Sequence, residues 1–238
     1  MRVVLIPGFT QTAASWDSVR AALPSGIEAR ALGVPLGLDF ESTAAALGAA
    51  GGRGVYVGYS MGGRLALRLA VDRPDLVAGL VLVSASPGLA DATERQARRA
   101  ADDALAGEIE QIGVDAFLVR WLAQPLFAGV APDAPGLAER RSFTAADLAA
   151  SLHNLGTGVQ EPLWERLSGL TMPVMLVTGT RDQKFDGIAR AMAPLIPGCE
   201  TVRIAGGHAL HLEAPPDLAT AIAAFVQGLD DSGDQGRR

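Results

Sequence analysis

The run Val55-Tyr56-Val57-Gly58-Tyr59-Ser60-Met61-Gly62-Gly63-Arg64, continued by Leu65-Ala66-Leu67, constrains this chain more than any other stretch. A short β-branched and aromatic segment enters it, a helix-period segment leaves it, and Gly-x-Ser-x-Gly lies between. A serine on so sharp a strand-to-helix turn is held in a strained backbone conformation that lifts its hydroxyl clear of a sheet. Such a turn crowds the residues two before and two after the serine, where Gly58 and Gly62 carry no side chain to clash. The following helix aims its N-terminus at Ser60, where backbone N–H groups and the helix dipole favour negative charge. The five-residue pattern is weak by itself in a chain with 28 glycines. The strand before it and the helix after it are what predict a nucleophile elbow.

The rest of the chain supplies a sheet for that elbow. Arg2 to Ile6 is a continuous apolar run ended by Pro7-Gly8, as expected of a strand buried on both faces of a parallel sheet. A helix is expected around Ser15 to Ala22, a weaker strand at Ile27 to Ala31, and a small-residue helix from Phe40 to Ala50. Gly54 to Val57 feeds the elbow, whose helix runs to about Asp72, and Leu80 to Val83 is a further buried strand. This alternation implies an α/β chain with a parallel, doubly wound sheet. From Pro87 to about Ser168 the rhythm breaks into helical patterns, with a capping-box start at Asp91 and Glu94 and further helices at Ile109 to Leu122 and Thr144 to Leu155. Residues 87–168 therefore read as a helical cap inserted into a core of 1–86 and 169–229. In the second core segment, strands are expected at Pro173 to Val177 and Thr201 to Ile204, with helices at Ile188 to Leu195 and after Pro215-Pro216. Residues 230–238 lack apolar side chains and read as a frayed, disordered tail.

Composition narrows the class. The 238 residues suit one larger α/β domain or one domain with an insertion, and 49% hydrophobic content allows a sizeable core. A net charge of −6 argues against nucleic acid or an anionic membrane as main partner. The single Cys199 excludes an internal disulfide and offers no metal cluster. The apolar run after Met1-Arg2 is too short for a signal peptide or membrane helix, so a cytoplasmic location is the expectation.

A nucleophilic serine needs a base to take its proton and a carboxylate to orient that base, here in the order Ser, Asp or Glu, His, each in a loop after a strand. Of three histidines, His208 follows the Thr201 to Ile204 strand across Ala205-Gly206-Gly207; the alternative role is a solvated loop histidine. His211 sits where a turn or helix start would direct it elsewhere, and His153 lies in the cap. Asp182 follows the Val174 to Val177 strand, Asp186 is its competitor, and either could instead be a helix N-cap. The oxyanion donors expected are the N–H groups of Met61 and of Phe9, in the loop after the first strand. Arg64 stands in the first turn of the elbow helix, where the dipole disfavours a cation. That placement suggests either an anionic ligand group nearby or a salt bridge to a cap carboxylate. Arg95, Arg98 and Arg99 share much of one cap-helix face, which by itself reads as a solvated, paired surface.

Further motifs carry a resemblance. They are Gly58 to Leu67, Ser86-Pro87-Gly88-Leu89 with Arg95 and Arg98, and Trp121 with Gln124-Pro125-Leu126-Phe127. Arg141-Ser142, Gly156 to Gln160 with Leu163-Trp164, Arg181 to Phe185, and Gly207-His208 extend the set. Together they resemble the 2-succinyl-6-hydroxy-2,4-cyclohexadiene-1-carboxylate synthase family of menaquinone biosynthesis, in the alpha/beta-hydrolase superfamily. The resemblance implies an alpha/beta-hydrolase fold, a mostly parallel sheet with an inserted cap. It implies a carbon–oxygen lyase that eliminates pyruvate from 2-succinyl-5-enolpyruvyl-6-hydroxy-3-cyclohexene-1-carboxylate, a small anionic substrate, with no cofactor. It also implies that Ser60, Asp182 and His208 form the triad while Tyr59, Arg64, Arg98, Trp121 and Arg141 line the substrate site. Three substrate carboxylates would account for the arginines through charge-assisted, often bidentate pairing.

The N-terminal quarter departs from the family pattern. Pro7 precedes Gly8-Phe9 where the family carries His, and Gly33 to Asp39 stands in place of the family's Asp-x-x-Gly-His-Gly-x-Ser segment. An antiparallel N-terminal hairpin common in the fold is also not expected. A carboxylic-ester or related hydrolase working through a Ser60 acyl-enzyme is the alternative, since the same triad serves it. Arginines mark the difference, because a neutral ester does not require them.

Overall fold

The computed structural model describes residues 1–134 and 136–235. In the first half of the chain, β1 (Arg2–Ile6), α1 (Asp17–Ala22), β2 (Glu28–Ala31), α2 (Phe40–Gly51), β3 (Gly54–Tyr59), α3 (Met61–Asp72) and β4 (Val77–Val83) follow one another. After the cap helices α4 (Ala92–Leu122) and α5 (Ala145–Leu155) come β5 (Val174–Gly179), α6 (Gln183–Met192), β6 (Glu200–Ile204), α7 (Leu210–Glu213) and α8 (Pro215–Gln235). The six strands form one sheet in the order β2-β1-β3-β4-β5-β6, every neighbouring pair parallel.

Parallel pairing requires crossover helices, and these cover both faces. Val4, Ile6, Tyr56, Leu80, Leu82, Val174 and Leu176 join α2, α3 and α6 in one core. The alternate strand residues Val3, Leu5, Val55, Val57, Val81, Val83, Met175 and Val177 join α1, α7 and α8 in the other. Both sides of each central strand are therefore apolar, which is why the sequence shows continuous runs rather than alternation. No helix among the described residues is long and apolar enough to cross a membrane.

From β1 the chain steps to β2 on one side and then returns to β3 on the other. The strand order reverses there, and the C-terminal ends of β1 and β3 flank the crevice where open α/β sheets bind ligands. Ser60 follows β3 at that point, and the Gly8-Phe9 loop follows β1. Between β4 and β5 the described residues form helices and 3-10 turns and no strand. The Asp91 side chain caps α4 by accepting the Glu94 N–H at 2.8 Å, and Gly113, at φ 78°, breaks that helix in two. Thr144 and Asp147 complete a capping box at α5. A small core of Ala106, Ile109, Phe117, Leu118, Leu148 and Leu152 joins α4 to α5.

Some boundaries differ from expectation for local reasons. The Ser15 segment begins as a 3-10 turn, Ala13–Trp16, before α1. Helix α6 starts at Gln183 rather than near Ile188, because the Asp182 side chain accepts the Phe185 N–H and initiates it. Helix α8 continues through Gln235, so residues 230–235 of the expected tail are helical; residues 236–238 lie outside those described. Extending an existing helix costs far less than nucleating one, so polar residues can prolong it.

At the elbow, Ser60 adopts φ 50° and ψ −110°. A Cβ on Gly62 would run into the carbonyl oxygens of Ile6 and Pro7, and one on Gly58 into the backbone of Gly62 and Gly63. These glycines let the start of α3 pass against the end of β1. Gly62→Ala should therefore lower the unfolding free energy by about 3 kcal/mol in urea titrations. Gly26→Ala, whose Cβ would meet open space, should change it by less than about 1 kcal/mol. Matching urea midpoints for the two variants would contradict this account of the elbow.

Candidate active site

His208 joins the two residues expected beside it. Its Nδ1 donates to Asp182 Oδ2 at 2.7 Å, and its Nε2 faces Ser60 Oγ at 3.3 Å. A carboxylate can only accept here, so Nδ1 carries a proton and Nε2 is the ring nitrogen turned to the serine hydroxyl. Asp182 and His208 are both buried, while Ser60 is half-buried at the edge of a cavity. The two roles open to Asp182 turn out to be compatible: Oδ2 meets His208, while Oδ1 accepts the Phe185 N–H at 3.4 Å. The competing residues are engaged elsewhere. Asp186 pairs with Arg190 and Arg203, His153 contacts Asp103 on the cap surface, and His211 is buried against Gln11.

The His208 loop is held by a residue that sequence reasoning passed over. Glu213, at the end of α7, accepts the N–H of Gly207 at 2.8 Å and that of Ala209 at 3.2 Å, bracketing His208. It also receives Arg181 Nη2 at 2.7 Å, which ties the His208 loop to the residue before Asp182. The aromatic rings of Tyr59 and Phe185 lie 5.2 Å and 4.5 Å from the His208 ring. Met61 is the first residue of α3, so its N–H has no acceptor within the helix. Both Met61 and Phe9 border the cavity beside Ser60.

That cavity has a volume of about 480 Å³ and lies between the sheet ends and the cap. Its apolar wall includes Phe9, Trp121, Leu126 and Phe127, with Trp121 packed edge-on against Phe9 at 5.3 Å. Three cationic residues, Arg64, Arg98 and Lys184, share the wall with Ser60 and Tyr59. Lys184 enters because α6 begins immediately after Asp182, which places the first turn of that helix over the crevice.

Arg64 has a local explanation as well as a functional one. Its Nη2 donates to the Leu155 carbonyl at 2.6 Å and its Nη1 to Gln160 Oε1 at 2.9 Å. Leu155 is the last residue of α5, so a cation disfavoured at the start of its own helix is placed favourably at the end of another. Burial pushes the guanidinium down to about 9, with Arg98 reinforcing the shift and Asp102 opposing it, so it stays charged at neutral pH. No cap carboxylate bonds Arg64 among the described residues: Asp102 bonds Arg98 at 2.8 Å, and its other oxygen is buried without a partner. The arginines of the α4 face thus behave differently from one another. Arg98 reaches the cavity, while Arg95 turns back to the carbonyls of Leu89 and Ala90.

Arg141, expected at the substrate site, is a correction. It lies on the surface, 61% exposed, and bonds Asp115 at 2.8 Å. Its neighbour Arg140 is the buried one, donating from Nη1 to Thr10 Oγ1. The tight 3-10 turn Ala138–Ser142 sends adjacent side chains in divergent directions, which a motif match at one-residue precision does not resolve. Burial pushes Arg140 down to about 10, opposed by the nearby Tyr59.

Comparison with known proteins identifies the family and the fold. The sequence pattern of the Alpha/beta hydrolase family matches residues 3–221. A 2-succinyl-6-hydroxy-2,4-cyclohexadiene-1-carboxylate synthase from Citrobacter koseri is 34% identical over 173 residues, covering 72% of this chain and 67% of that one. A Bacillus subtilis protein that carries the same name provisionally is 35% identical over 179 residues, covering 73% of this chain and 65% of its own. The chain thus spans about two thirds of the length of these curated relatives. Among solved structures, MenH from S. aureus superposes with a TM-score of 0.89 at 26% identity, over 97% of this chain and 94% of that one. With the family pattern running almost end to end and these synthases as relatives, the chain belongs to the alpha/beta hydrolase family, in its 2-succinyl-6-hydroxy-2,4-cyclohexadiene-1-carboxylate synthase branch.

Proposed function

We propose that this protein is a carbon–oxygen lyase of menaquinone biosynthesis that releases pyruvate from 2-succinyl-5-enolpyruvyl-6-hydroxy-3-cyclohexene-1-carboxylate. The observation that carries the reading is the Ser60–His208–Asp182 chain of contacts opening into a cavity that also presents Arg64, Arg98 and Lys184. A substrate with three carboxylates matches that charge, and the names of the relatives support it. In this mechanism His208 takes the Ser60 proton, and Ser60 Oγ removes the ring proton beside the succinyl carbonyl. Negative charge moves to the carbonyl oxygen, where the N–H groups of Phe9 and Met61 receive it. As the carbonyl re-forms, the ring double bond shifts, the carbon–oxygen bond to the enolpyruvyl group breaks and a conjugated diene remains. The enolate released takes up the proton held by His208 on its methylene carbon and leaves as pyruvate. Asp182 keeps the imidazole in the tautomer this requires and stabilises its cationic form.

A second reading, an ester hydrolase, draws support from the aromatic wall of Phe9, Trp121 and Phe127 and from the surface position of Arg141. The triad chemistry is shared, so the cations decide between the two.

Purified protein given the enolpyruvyl substrate should release pyruvate without added metal or cofactor, assayed beside a short-chain nitrophenyl ester. Ester turnover with no pyruvate above background would favour the hydrolase. Ser60→Ala should lower the pyruvate rate by at least about 10³-fold while circular dichroism and the thermal midpoint stay near wild type. Retention of most of the rate would remove Ser60 from the chemistry. Arg98→Ala should reduce kcat/KM for the tricarboxylate by about 10- to 100-fold, the value of a charge-assisted hydrogen bond, and spare ester cleavage. Equal losses on both substrates would count against anion recognition by the cap.

A further inference from the structure

Three residues beyond His208, the fully buried His211 is sandwiched between aromatic rings, 4.2 Å from Tyr59 and 5.0 Å from Trp16. Its Nε2 stands 3.0 Å from Gln11 Oε1. The same oxygen accepts the Gly8 N–H at 3.2 Å, and the Gln11 N–H closes the turn onto the Gly8 carbonyl at 3.2 Å. A peptide N–H can only donate, so the amide oxygen of Gln11 must face Gly8, and His211 must present Nε2–H to it. Burial, with Arg140 and His208 nearby, pushes His211 well below the usual histidine range, so the ring is neutral; its Nδ1 has no partner. On the far side of this loop Thr10 adopts φ 65°, a costly conformation for a β-branched residue. The buried Arg140 holds its hydroxyl. Phe9 lies between these anchors, in a loop whose shape is over-determined by groups 130 and 200 residues away in sequence.

We propose that His211 is a positioning residue for the reaction: acting through Gln11, it fixes the Gly8 to Gln11 turn so that the Phe9 N–H meets the developing oxyanion. The proposal rests on the reading of Ser60 and Phe9 given above. His208 and His211 are separated only by the start of α7. One short segment therefore carries both the base and the group that sets the oxyanion loop, so the two halves of the catalytic apparatus stay in register. Held neutral, His211 donates a hydrogen bond without placing a second cation beside Arg140.

His211→Phe keeps a ring between Tyr59 and Trp16 and deletes the donor. On whichever substrate the wild type turns over, the enolpyruvyl compound or the nitrophenyl ester, kcat should fall about 100-fold while KM stays within about threefold. His211→Gln, whose amide nitrogen can stand where Nε2 stood, should regain at least about tenfold of that loss. The acid limb of the kcat/KM profile, which reports the catalytic base, should keep its wild-type position in both variants. Should His211→Phe not fold, Gln11→Met removes the contact from the other side and should show the same fall in kcat; a double variant should add little to either single loss. A shifted acid limb, an equal defect in His211→Gln, a loss confined to KM, or additive losses would overturn the proposal and leave His211 as packing beneath the base. A wild type active on the ester alone would defeat the lyase reading and leave this test readable.

Discussion

The contact on which the molecule depends is the passage of the first turn of α3 across the end of β1. It is possible only because Gly62 meets the Ile6 and Pro7 carbonyls with no side chain between them. That approach forces Ser60 into a backbone region that residues with side chains seldom occupy. The strain is offset by the buried sheet on either side, where β3 lies between β1 and β4 with every one of its residues buried. The candidate site is arranged relative to this point. The loop carrying Phe9 leaves β1 beside it, Asp182 follows β5, and His208 follows β6.

Charge is the second organising term. A buried guanidinium is costly unless its donors are met. Arg64 is met by a helix-end carbonyl and a glutamine amide of the cap, so the same side chain borders the cavity and anchors the cap to the core. Arg98 is paired with Asp102, whose other oxygen is buried without a hydrogen-bond partner. Arg64, held by neutral groups alone, thus borders the cavity with no carboxylate bonded to it, near Ser60.

Legibility in the sequence followed the range of the physical signal. Strands buried on both faces announce themselves as continuous apolar runs, and Gly-x-Ser-x-Gly between a strand and a helix leaves few alternatives. His208 and Asp182 were readable because each sits in a loop directly after a strand of a parallel sheet. Arg141 was not, because exposure of one arginine and burial of its neighbour Arg140 depend on how a tight turn docks against Thr10 and Tyr59. His211 read only as a residue that a turn or helix start directs away from the serine, and Glu213 carried no local signal. Their contacts to backbone N–H groups and to Gln11 are ones that no local pattern encodes.

By itself the sequence determined the parallel sheet, the sharp turn at Ser60, the helical segment between β4 and β5, and the strand ends that Ser60, Asp182 and His208 follow. Periodicity, turn chemistry and chain order are local properties, and these features follow from them. Tertiary structure alone decided which cations face the cavity, that Arg64 is held by the end of α5, and how the loop carrying Phe9 is braced. Each of those outcomes turns on the direction of one side chain where distant segments meet. A side chain's direction there is set by the surface packed against it rather than by its sequence neighbours.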